Sequence, residues 1–97
     1  MRKFIIERDL PGIGEAGSRA LRDAARRSNA ALTELGPDIQ WVHSYVAGDK
    51  SFCVYLATDE SLIRRHAELS GFPANVITEV RRIIDPTTAS AAARLRS

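Results

Sequence analysis

The element order legible in this sequence is βαββαβ, which predicts a ferredoxin-like α+β sandwich: a four-stranded antiparallel sheet with two helices on one face. Two observations carry that prediction. Short apolar or alternating stretches stand at residues 3–8, 39–46, 51–57 and 76–84. After the first strand and again after the third, the apolar period lengthens to that of a helix. A chain of 97 residues suits one such domain, placed at residues 1–86, with 87–97 as a flexible Ala- and Ser-rich tail.

Each element has its own local reason. Strand one is short and β-branched, and Leu10, Pro11 and Gly12 stop it with turn residues. From Gly14 the apolar stripe runs Leu21, Ala24/Ala25, Ser28, Ala31/Leu32 and Leu35, and Gly36-Pro37 ends it. Strands two and three form a hairpin around Gly48-Asp49. Thr58 or Asp59 then caps a second helix, whose inner stripe is Leu62, His66 and Leu69 and whose stop is Gly71. The run 76–84 is strand four, closed by Asp85-Pro86.

Period 2 sorts the strands into two faces. Phe4, Ile6, Val42, Val46, Phe52, Val54, Leu56, Val80 and Ile84 are the expected helix-side set. The complement is Ile5, Glu7, Trp41, His43, Tyr45, Cys53, Tyr55, Ile77, Glu79, Arg81 and Ile83, too apolar to face water. A second copy is the simplest cover, so a homodimer with sheets face to face, a dimeric α+β barrel, is expected. The hairpin register matters here. A three-residue loop at 48–50 pairs His43 with Tyr55 and Tyr45 with Cys53, whereas a two-residue loop pairs His43 with Val54 and sends Cys53 to the opposite face. The first keeps Phe52, Val54 and Leu56 beside Val42 and Val46, and is the expectation.

The totals exclude more than they assign. Lys and Arg number 14 against 12 Asp and Glu, a net +2 with the arginines dispersed, so nucleic-acid binding is allowed but not indicated. "KSFCVY" only faintly echoes the third-strand motif of RNA-recognition modules, without its glycines. No apolar run is long enough for a membrane span, and none near the N-terminus reads as a signal peptide. One cysteine forms no intrachain disulfide, which fits a reducing cytoplasm. "GIGEAG" at residues 12–17 imitates a phosphate loop, but the chain is too short for a Rossmann sheet.

Three stretches together, "FIIERDLPG", "WVHSYVAGDKSFCVY" and "HAELSGFPANVITEVRRIIDPTT", resemble the small proteins classed as domain of unknown function 4242, over residues 3–88. The resemblance implies a ferredoxin-like fold, a dimer and, in the nickel-binding type, a metal. Cys53, His66 and Glu79 match a Cys, a His and a Glu of that type. Glu7, Pro11 and Phe72 stand where it has histidines, and this chain keeps only two imidazoles, His43 and His66.

The candidate metal ligands are therefore Glu7, His43, Cys53, His66 and Glu79, with nickel implied by the resemblance and zinc equally suited to imidazole and carboxylate. A carboxylate beside His43 can fix its tautomer or complete a metal shell. Glu7 and Glu79 need partners if covered, and Arg8 or Arg81 could supply them. Trp41, Tyr45 and Tyr55 are interface packing or the lining of a small-molecule pocket. In that alternative the protein is a cofactor-free enzyme or small-molecule binder with His43 as general base.

Overall fold

The computed structural model describes residues 1–90. The order is β1 (Arg2–Asp9), a 3-10 turn (Ile13–Glu15), α1 (Ser18–Leu35), β2 (Ile39–Val46), β3 (Lys50–Ala57), α2 (Glu60–Ser70), β4 (Val76–Val80) and a second 3-10 turn (Pro86–Ala89). The strands lie in the order β2-β3-β1-β4, with every neighbouring pair antiparallel. This is the expected ferredoxin-like sandwich. Of the expected tail, residues 87–89 belong to the second 3-10 turn, which begins at Pro86, and residues 91–97 lie outside the described residues. Among the described residues no helix is long and apolar enough to cross a membrane.

The core sits between the sheet and the helices. Phe4 and Ile6 of β1, Cys53, Tyr55 and Ala57 of β3, Ile39 of β2 and Ile63 of α2 form one buried cluster. Burying a side chain such as Phe4 or Ile63 contributes about 1.5–3 kcal/mol. Helix α1 buries Ser28 and Ala31 on the predicted stripe. The buried stripe of α2 is Ile63, His66 and Ser70, so His66 is as expected while Leu69 is exposed. Asp59 is the cap, its carboxylate accepting from the Ser61 amide at 3.0 Å. Gly71 ends α2 with φ 78°, a left-handed conformation that a glycine adopts without strain. β4 stops at Val80 rather than at residue 84, because Val80 already pairs with Lys3 and β1 runs out one residue further on, at Arg2.

The hairpin register differs from the expectation. Ala47 donates to the Lys50 carbonyl at 2.8 Å, closing a two-residue Gly48-Asp49 loop, and His43 pairs with Val54, Ser44 with Cys53 and Tyr45 with Phe52. A bulge between Trp41 and His43 absorbs the extra residue, Val42. Pairing with β1 then settles the faces, since Phe4 lies opposite Tyr55 and Ile6 opposite Cys53. Cys53, Tyr55, Trp41, Ile77 and Glu79 therefore belong to the helix side, and Phe52, Val54, Leu56 and Val80 to the open face. Alternation alone predicts otherwise because the more aliphatic half of β3 faces away from the helices, and because strict alternation fails across a bulge. The open face is apolar all the same. Ile5, Tyr45 and Val76 are exposed there, with Phe52, Val54, Leu56 and Val80 half-buried.

Candidate ligand cavity and its polar wall

A cavity of about 140 Å³ lies between the sheet and α1, near the hairpin end. Its sheet wall is Trp41, Ser44, Cys53 and Tyr55, and its helix wall is Leu21, Ala24, Ala25 and Ser28. Arg8 at the end of β1 and Phe72 after α2 close one side. The bulge makes this wall possible by putting Trp41 and Ser44 on one face, where the indole N–H donates to the Ser44 hydroxyl at 2.9 Å and the indole stacks on Tyr55 at 6.5 Å.

Leu10 and Ile13 line the mouth from the loop after β1. That loop is the apparent phosphate motif, and its glycines have another use. Gly14 donates to the Gly48 carbonyl at 2.9 Å, and the Gly12 amide donates to the Asp49 carboxylate at 2.9 Å. A Cβ on Gly14 would stand 2.5 Å from the Ala47 carbonyl oxygen. The glycine lets the loop lie flush on the hairpin turn.

Behind the cavity is a buried polar group drawn from three elements. Ser28 of α1 bonds the Tyr55 hydroxyl at 3.2 Å and His66 Nε2 at 3.1 Å, and Tyr55 Oη lies 3.5 Å from the same nitrogen. His66 is 1% exposed and its Nδ1 has no partner. Burial, with the Arg8 charge adding to it, lowers its pKa from the usual 6.5 to about 4, so it is neutral at pH 7. Burial also raises the Tyr55 pKa, against a smaller opposing effect of its hydrogen bond with Ser28. Tyr55 is thus held as a phenol.

Arg8 is 2% exposed. Its Nη1 donates to the carbonyls of Pro73 at 2.8 Å and Phe72 at 3.4 Å, and its Nη2 is buried with no partner among the described residues. Tyr55 and Phe72 each present a ring 5.9 Å from the guanidinium carbon. Its place on the helix side follows from its spacing two residues beyond Ile6, a signal present in the alternation of β1, so that it lies on the opposite face from Glu7, for which it was the expected partner.

The five expected metal ligands do not converge. Cys53 and His66 are buried on the helix side, where the Cys53 thiol has Ser51 Oγ at 3.5 Å. Glu79 is paired at the sheet margin with Arg2 at 2.8 Å, not with Arg8 or Arg81, and that bond holds its carboxyl below the usual range. Glu7 and His43 are on the open face, Glu7 beside Lys50 at 3.9 Å and His43 bonded to the Tyr45 hydroxyl at 3.2 Å. Among the described residues no three His, Cys, Asp or Glu side chains form a group that could hold an ion. One chain does not fit a nickel cage. Of the expected pocket residues, Trp41 and Tyr55 line the cavity while Tyr45 does not, and His43, the expected base, is on the other side of the sheet.

The family model described as nickel responsive protein SCO4226-like matches residues 4–80. Among curated proteins none matches. A solved structure, the crystal structure of SCO4226 from Streptomyces coelicolor A3(2), superposes with a TM-score of 0.70 at 18% identity, covering 84% of this chain and 99% of that one. At that identity the likeness is one of fold.

Proposed function

We propose, from the premise that this chain belongs to the nickel responsive protein SCO4226-like family, that it is a homodimer holding a small organic ligand in the cavity between its sheet and α1. The observation that carries the reading is the cavity, with aliphatic and aromatic walls and a few convergent polar groups at one end. A divalent cation suits it poorly, because Arg8, which has no ion-pair partner among the described residues, already brings a positive charge to the lining that it shares with Cys53. No reaction is assigned, and binding is the whole of the proposal. The test is a fragment screen followed by amide and indole NMR. Binders should shift the Trp41 indole N–H and the amides of Ala24 and Ala25 together. Shifts confined to the open face or the surface would end the reading.

A second reading keeps nickel, and one observation favours it: two of the expected donors, Glu7 and His43, share the open apolar face. A two-fold axis across that face doubles two donors to four, an imidazole-carboxylate set suited to Ni(II) and Zn(II). The ion then belongs to the seam between copies, and the cavity is unconnected with it.

A further inference from the structure

Arg8 carries a full charge that the protein buries and does not neutralise. None of the ion pairs among the described residues includes it. Two carbonyls and two ring faces offset part of the desolvation cost, which for a buried ion amounts to several kcal/mol. Among the described residues Nη2 has no hydrogen-bond partner. A buried cation of this kind, on the wall of a cavity, is a position that an anion would complete.

The rest of the wall specifies the anion. Ser28 Oγ and Tyr55 Oη are hydroxyls 3.2 Å apart on the cavity lining; one proton is spent on the bond between them, which leaves one for an acceptor when His66 Nε2 donates to Ser28. Apart from Ser44, Ser51 and Cys53 the remaining lining is aliphatic or aromatic, so the body of the ligand is largely apolar. The volume of about 140 Å³ compares with cavities of about 150 Å³ that hold a benzene ring. A group seated wholly within it is no larger than a single ring.

We propose that the cavity binds a small apolar monocarboxylate, of the size of benzoate, with its carboxylate on Arg8 and its body against Trp41 and α1. The guanidinium fork matches a carboxylate in plane, and hydrogen bonds between ions are about twice as strong as neutral ones. This rests on the small-ligand reading above and deepens it.

The experiment is a charge series on the unaltered protein: benzoate, benzamide and benzylamine, titrated at pH 7 with Trp41 fluorescence and calorimetry. Benzoate should bind at least about tenfold more tightly than benzamide, with benzylamine weakest. In Arg8→Met, benzoate should fall to the level of benzamide while benzamide binding is kept. Arg8→Lys, which retains the charge, guards against misfolding and should sit between the two. Benzamide binding as tightly as benzoate would overturn the carboxylate inference and leave the cavity reading standing. Failure of all three probes, when the fragment screen does find cavity binders, overturns the carboxylate alone. Failure of every compound in both experiments overturns both.

Discussion

His66 stands where the helical period calls for an apolar side chain, and its neutrality has a measurable consequence. The unfolded chain has a histidine of ordinary pKa near 6.5, and the folded one of about 4. Between those values the unfolded state binds the extra proton, so stability is whole above pH 6.5 and falls as pH drops toward 4. From pH 7.5 to 5.0 the loss should be about 2 kcal/mol. Asp59, Glu79 and Asp85, held low by hydrogen bonds from Ser61, Arg2 and Thr87 respectively, titrate further down. Urea midpoints at the two pH values measure the slope, and His66→Gln should flatten it. A wild-type protein equally stable at both would mean that His66 is charged or solvated. Its position was legible in the sequence, but its partners were not, because Ser28 and Tyr55 reach it from α1 and β3 and nothing in a linear pattern links them.

The loop after β1 and the hairpin turn act as one piece. In Gly14→Ala the added methyl meets backbone atoms of Ala47 and Gly48 that have no side-chain freedom to yield. The expected loss is about 1–3 kcal/mol in urea unfolding. Gly17→Ala, where a Cβ meets nothing within 4 Å, should change stability by less than about 0.5 kcal/mol. Equal effects of the two would dissolve the argument from close approach. Element identity and order were legible because the period of each segment is clean. Facing was not. The Trp41–His43 bulge shifts alternation by one, and β3 has apolar residues on both of its faces, so only the pairing with β1 distinguishes them.

At the scale of the molecule, the open face remains to be covered. A face of Ile5, Phe52, Val54, Leu56 and Val80 argues for the proposed homodimer on residues largely different from those the alternation picked out, and with the same outcome. Native mass spectrometry with and without added nickel and zinc addresses the dimer and the second reading together. The protein should run as a dimer without metal. Uptake of a whole number of ions per dimer, lost in His43→Ala, would support the seam site; a dimer that ignores both metals would remove it. The cavity and this face lie on opposite sides of one sheet, and β3 serves both. Ser51, Cys53 and Tyr55 look inward while Phe52, Val54 and Leu56 look outward, so a substitution at an odd position of the strand bears on the cavity and one at an even position on the open face. Variants of such a strand can therefore reshape the cavity and leave the open face as it is, or alter the open face and leave the cavity intact.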